Sequence, residues 1–286
     1  MKRWLVGLLL VVGMVGCGGS AAELEKLGAE IERNEQAEII KVSLQGTQIT
    51  DAGLVHLKGL SNLQALDLWD TQITDASLVH LKGMANLQEL GLYNTNTRVT
   101  DAGLVHLKGM TNLQKLVLWD TQITDAGLVH LKGMTNLQEL WLNDTPITDA
   151  GLVHLKGMTS LQLLYLGSPQ ITGAGLVHLK KLTVLQDLRL NGTKVTDAGL
   201  MRLKGMTNLK SLTLSFTSIT DAGLVHLKGL TGLQDLFLND TKVTDAGLVH
   251  LNGMTGLQGV SLVNTKVTDA GFADLLKALP DCQIFK

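Results

Sequence analysis

The sequence predicts an α/β solenoid. One short strand–turn–helix unit is copied along the chain, with a parallel β-sheet on the concave face of a horseshoe and short helices on the convex face. Three observations carry this. The stretch Leu113–Asn136, LQKLVLWDTQITDAGLVHLKGMTN, restarts at Leu137, a period of 24 residues, and periods of this length mark stacked repeats. Inside the unit, Leu116 and Leu118 alternate with Lys115, Val117 and Trp119, the period-2 pattern of a strand with one face inward. Thr124-Asp125 then stands ahead of Leu128 and Leu131, a helix opening followed by an inner helical face.

Each element of the unit has a local reason. Leu113, Leu116 and Leu118 form an L-x-x-L-x-L run. Trp119-Asp120-Thr121-Gln122 leaves the strand, and Ile123 returns to the core. Thr124 is the expected N-cap, with the Asp125 carboxylate at the positive end of the helix dipole. Lys132 is placed near the negative end, and Gly133 is expected to close the helix in a left-handed conformation. Met134 turns back inside. A single unit buries about six apolar side chains at roughly 1.5–3 kcal/mol each. Ordering it costs about 1.5 kcal/mol per residue. It therefore does not fold alone, and stacked neighbours must cover its open ends.

This text resembles the leucine-rich repeat family, for which L-x-x-L-x-L is the strand signature. Thr stands where that family usually has Asn or Cys, at Thr71, Thr121, Thr145, Thr193, Thr217, Thr241 and Thr265. The I-T-D-A-G-L helix start is similar to the cysteine-containing class and its bacterial relatives. The resemblance covers Ile39 to about Ile284 and implies a binding scaffold, with no cofactor and no catalytic centre.

The chain divides into three parts. Residues 1–16 read as a signal peptide: Met1-Lys2-Arg3 is basic, Trp4–Val15 is apolar, and the run is shorter than the ~20 residues a membrane-spanning helix needs. Met14-Val15-Gly16-Cys17 resembles a bacterial lipobox, which implies a lipid on Cys17, export, and anchorage to the cell envelope at the periplasm or cell surface. Residues 17–38 hold that cysteine, a Gly18-Gly19-Ser20 tether and an N-terminal cap: Leu24 and Leu27 at helical spacing, Gly28 to end the helix, and Ile31 before a turn at Asn34-Glu35. Residues 39–286 hold about ten repeats, beginning at Ile39, Leu63, Leu87, Leu113, Leu137, Leu161, Leu185, Leu209, Leu233 and Leu257. Only the step from Leu87 to Leu113 departs from 24, and its two extra residues fall in Tyr93–Val99, where a bulge at the sheet edge is expected. The copy at Leu161 differs most: Pro169, Gly173 and Lys181 replace the usual Thr, Asp and Gly, and a slight kink is expected there. Leu279-Pro280 ends the last helix, and Cys282, Ile284 and Phe285 close the far end.

Charge and composition exclude several functions. Loss of residues 1–16 removes Lys2 and Arg3, leaving 22 basic against 26 acidic side chains, a formal charge of −4. A nucleic-acid surface needs clustered positive charge, so no nucleic-acid partner is expected. Cys17 and Cys282 are the only cysteines; with Cys17 lipidated there is no disulfide framework, and Cys282 reads as a small buried residue.

All eight histidines fall at one repeat position: His56, His80, His106, His130, His154, His178, His226 and His250. Each lies two residues after a core Leu, about 200° around an α-helix and so on the solvent side. One His per helix does not converge on an ion, and no metal site is assigned. The aspartate row (Asp51, Asp75, Asp101, Asp125, Asp149, Asp197, Asp221, Asp245, Asp269) and the lysine row are read as helix caps and surface charge.

The outward strand positions vary most between copies. Trp69, Tyr93 and Trp119 stand at the sixth residue after the first Leu of three consecutive copies; Trp141 and Tyr165 stand at the fourth in the next two, and Phe237 does so later. Adjacent strands lie about 4.8 Å apart, so one diagonal aromatic stripe is expected across the concave sheet. Asp67, Glu89, Lys115, Glu139, Asn143, Asp187 and Arg189 flank it. Aromatics make up only 3% of the chain, and Trp, Tyr and Arg dominate binding hot spots. The sequence points to a non-enzymatic, membrane-anchored, monomeric scaffold that binds a protein or peptide through Trp69, Tyr93, Trp119, Trp141, Tyr165, Arg189 and Phe237. The alternatives are a carbohydrate binder, since flat rings also stack on sugars, and an envelope component without a specific ligand.

Overall fold

In a computed structural model, residues 18–94 and 98–286 are described. The signal peptide, Cys17 and part of the Tyr93–Val99 insertion lie outside that range. Among the described residues, twelve strands form one sheet in sequence order: β1 (Glu30–Arg33), β2 (Ile39–Ser43), β3 (Ala65–Asp67), β4 (Glu89–Gly91), β5 (Lys115–Val117), β6 (Glu139–Trp141), β7 (Leu163–Tyr165), β8 (Asp187–Arg189), β9 (Ser211–Thr213), β10 (Asp235–Phe237), β11 (Gly259–Ser261) and β12 (Gln283–Phe285). From β2 onward all pairings are parallel and in register. The longer step leaves β4 and β5 undisturbed, with Glu89 opposite Lys115 and Gly91 opposite Val117. In β3 to β11 the middle residue points inward, and Leu116, Leu140 and Leu164 are fully buried. One continuous core runs from Ala21 in the first helix, α1 (Gly18–Lys26), to Cys282.

Both ends are covered. In α1, Leu24 is fully buried; Gly28 is left-handed at φ 93°, and the Ala29 N–H reaches back to the Leu24 carbonyl at 2.9 Å. The charged strand β1 pairs antiparallel with β2, which gives the open side of the first repeat a polar edge. At the other end the helix Asp269–Ala278 leads into β12. Cys282 is 7% exposed, and burial, then Asp235, pushes its thiol pKa up.

The turn after each strand is built from two residues. The threonine hydroxyl donates to the carbonyl three residues back, at 2.7 Å for Thr71 and Thr121 and 2.6 Å for Thr145 and Thr193. The residue before it is left-handed: Asp70, Asp120, Asp144, Asp240 and Asn264 have φ between 52° and 56°. Asp and Asn tolerate that region because their short polar side chains bond locally.

The helices are shorter and tighter than the sequence implies. Asp125–Leu128 is one α-turn, and Val129–Leu131 continues as 3₁₀. Thr124 caps it, accepting from the Ala126 N–H at 3.2 Å. Gly59, Gly83, Gly109 and Gly205 are left-handed, with φ between 87° and 93°, but Gly133 is not. There Lys132 remains in the right-handed helical region, so the turn closes without the left-handed residue expected at Gly133.

The aspartate row has a role that the surface reading missed. The Asp125 carboxylate accepts from the Thr148 N–H at 2.9 Å and the Thr148 hydroxyl at 2.6 Å, in the next repeat. The same clasp joins Asp75 to Thr100, Asp101 to Thr124, Asp197 to Thr220 and Asp221 to Thr244. Each carboxylate also fills the space above a helical glycine. A Cβ on Gly127 would run into the Asp101 carboxylate. In the one copy with Ser77 at that position, its hydroxyl donates to Asp51 instead. Burial works to raise the Asp51 pKa, but the bonds from Ser77 and Thr74 outweigh it and hold it below the ordinary value.

The row breaks once. Gly173 replaces Asp, is left-handed at φ 97°, and packs its backbone against Gly199, whose Cα lies 2.9 Å from where a Gly173 Cβ would stand. Thr196 in the following repeat caps its helix without a side-chain hydrogen bond. The sheet continues past this point in register from β7 to β8.

Candidate functional site

The strand register sets the outward rows of the concave face. One row runs Asp67, Gly91, Val117, Trp141, Tyr165, Arg189. A second, lower row runs Lys41, Ala65, Glu89, Lys115, Glu139. Trp69, Tyr93 and Trp119 rise from the turns beyond the strands.

The expected single stripe resolves into two clusters. Trp69 stacks on Tyr93 with ring centroids 5.2 Å apart and planes 12° from parallel, and Tyr93 stacks on Trp119 at 5.9 Å and 6°. Trp119 is 41% exposed; its Nε1 donates to Asp144 Oδ2 at 2.7 Å, fixing the outer ring. The second cluster is Trp141 and Tyr165, 4.5 Å apart and tilted by 46°. Tyr165 is only 7% exposed, because Arg189 lies over its ring at 4.1 Å and its hydroxyl meets Asp187 at 3.2 Å. It supports the surface from beneath, and Trp141 and Arg189 are the more open side chains of the cluster. Burial, then Asp187, raises the Tyr165 pKa. Phe237 stands apart on β10, 38% exposed.

Charge is organised around the rings. Lys115 bridges to Glu139 at 3.3 Å and lies 5.5 Å from the centroid of Trp141. Arg189 bridges to Asp187 at 3.3 Å. Three atoms here are buried without a hydrogen-bond partner among the described residues: Trp141 Nε1, Asn143 Oδ1 and Asp187 Oδ1. Between the two clusters the face opens into a pocket of about 220 Å³ at Gly91, walled by Tyr93, Trp119 and Trp141.

Two features escaped the sequence reading. Gly91 occupies a row position whose neighbours carry side chains, and the Asp67 carboxylate that leans over it shows only once the strands are in register. Phe216 is 64% exposed at φ 58°. The signal was present in the repeat alignment, where neighbouring copies put Gly192, Asp240 and Asn264 at that turn position and Phe216 breaks the pattern.

The histidines lie on the convex side but are half-buried, and the valines before most of them are more open: Val105 is 44% and Val129 42% exposed. In a 3₁₀ turn residues three apart eclipse. Val129 and His130 therefore flank the core line on either side, and His130 does not point directly away from it. Among the described residues, no group of three or more His, Cys, Asp or Glu side chains is placed to hold a metal ion. No described helix is long and apolar enough to cross a membrane.

Comparison with known proteins agrees with the architecture. A family model described as leucine-rich repeats in two copies matches residues 111–154, and a second leucine-rich repeat model matches 181–204 and 205–227. An internalin from Listeria monocytogenes superposes with a TM-score of 0.57 at 21% identity, covering 94% of each chain. A leucine-rich repeat protein of Leptospira interrogans superposes with a TM-score of 0.64 at 21% identity over 88% of this chain, which spans 62% of that one. No curated protein matches the sequence. The chain is a leucine-rich repeat solenoid.

Proposed function

We propose that this chain is a non-enzymatic binding protein, exported and held at the cell envelope by a lipid on Cys17, whose concave face receives a protein or peptide. One observation carries the reading: the Trp69–Tyr93–Trp119 stack and the Trp141 cluster stand on consecutive repeats with Lys115, Glu139, Asp187 and Arg189 interleaved. Clustered aromatics with charged neighbours favour a protein partner. Sugar recognition by stacking needs free ring faces, and Tyr93 has both faces covered by tryptophans.

The test compares the full chain with a Trp69→Ala/Trp119→Ala/Trp141→Ala variant, both checked for folding by circular dichroism and immobilised. Solubilised cell envelope is passed over each. A polypeptide held by the parent and lost by the variant is the expected result. Equal retention on both, or a retained species that is glycan alone, would overturn the reading.

A further inference from the structure

The pocket at Gly91 has a chemistry of its own. Along its row the side chains are Asp67, none at Gly91, then Val117 and Trp141. The Asp67 carboxylate leans over Gly91, its Oδ1 2.9 Å from where a Gly91 Cβ would stand, and beside it lies a slot about 220 Å³ in volume, with Val117 and Trp141 on one flank and Tyr93 and Trp119 above. On the other flank stand two carboxylates, Asp67 and Glu89. Asp67 accepts the Trp69 N–H at 3.0 Å through Oδ1. Its other oxygen, and both oxygens of Glu89, have no donor among the described residues. The lysines nearby leave these carboxylates unpaired: Lys115 is bound to Glu139 at 3.3 Å, and Lys41 at the far rim makes no ion pair among the described residues.

A slot of this kind selects its guest by exclusion. A purely apolar side chain would cover the carboxylates without pairing them, which is costly. An acidic one meets both carboxylates, with Lys115 held by Glu139 and only Lys41 at the far rim to oppose them. A long basic side chain lays its methylenes on Val117 and Trp141 and keeps its charged end on the carboxylates. Of the two basic residues, arginine carries a planar group with donors enough for both acids at once, and that plane stacks on an indole.

We infer that the Gly91 pocket receives an arginine side chain of the bound polypeptide. This rests on the concave face being a polypeptide-binding surface, and it names the residue type that surface reads.

The test uses ¹⁵N-labelled full chain and two probes, N-acetyl-arginine methylamide and its neutral citrulline counterpart, followed through the tryptophan indole N–H signals. The arginine probe is expected to shift the Trp119 and Trp141 signals. Citrulline should bind about tenfold more weakly or less, the scale of a lost charge-assisted hydrogen bond. Glu89→Gln, an exposed substitution, should weaken arginine by a similar factor and leave citrulline unchanged. Gly91→Val should abolish both responses, because its side chain drives the Asp67 carboxylate from its place over residue 91 and crowds the slot. Equal shifts with both probes, no shift with arginine, or arginine binding unchanged in Gly91→Val and Glu89→Gln would each overturn the assignment. Failure here, combined with a polypeptide captured by the parent and lost by the triple tryptophan variant, removes the arginine pocket and leaves the concave binding face standing. Arginine binding with no such capture removes the concave binding face and, with it, the bound polypeptide whose arginine the pocket would take.

Discussion

At the residue scale, two glycines of the same repeat should respond in opposite ways to the same change. Gly127→Ala would press a methyl group into the Asp101 carboxylate and against Ile123, with an expected loss of about 1–3 kcal/mol from overpacking. Gly133 has open space around it and an ordinary φ, so Gly133→Ala should be neutral or stabilising by about 0.4–1 kcal/mol. Chemical denaturation of the two variants checks both. The sequence shows two glycines and no difference between them, because what separates them is a carboxylate 26 positions earlier in the chain. A third residue tests pH. Burial, then Lys132, lowers the His154 pKa against a smaller opposing effect of Asp125, and its Nδ1 is buried without a partner among the described residues. The unfolded chain therefore takes up a proton more readily than the folded one just below about pH 6.5, so this residue's contribution to stability is present above that value and lost as pH falls through it. His154→Gln should flatten the fall in Tm between about pH 7 and about pH 5; an unchanged slope would remove His154 as its source.

At the element scale, the contribution of the aspartate–threonine clasp can be isolated because nature has left one copy without it. Thr220 donates to Asp197 at 2.6 Å and accepts the Ala222 N–H at 3.3 Å. Thr196, with Gly173 in place of the aspartate, has neither side-chain bond. Thr220→Val should therefore cost about 1–2 kcal/mol, the sum of a lost cap and a lost charge-assisted bond, and Thr196→Val a few tenths. Equal losses in urea titration would show that the clasp adds nothing to stability. The strands and turns were legible from the text: alternation placed Leu116 and Leu118 inside, and the repeated threonine marked the turn. The clasp was not, since its partners sit 23 residues apart and nothing in a local window distinguishes Asp197 from a solvated helix start. The histidine row was placed on the correct side but turned too far outward, because a 100° step was applied to residues that take 120°.

At the scale of the whole molecule, stability in a stack of repeats is carried between neighbours, so damage at an end should stay near that end. Leu24 is fully buried in α1 against the first repeat. Leu24→Ala should cost about 2–5 kcal/mol locally, with faster amide hydrogen exchange in β1 to β3 and unchanged protection in β7 to β10; uniform acceleration would mean that the chain opens as one unit. The global architecture was the most legible part of this protein, since a period of 24 repeated from Ile39 onward leaves few alternatives. The aromatic surface was legible as residues but not as geometry. Sequence spacing put Trp69 to Tyr165 in one line, whereas the structure gives a stack, a separate tilted pair with its tyrosine covered, and a slot between them beside the Asp67 carboxylate. The interruption at Gly173 has a mechanical meaning. If the two ends of the chain were pulled apart, the load would pass from repeat to repeat through the sheet on one side and the carboxylate bonds on the other. Between Gly173 and Thr196 the second line is absent, so tension would gather at that step and the horseshoe would part there into two intact blocks before either began to unravel.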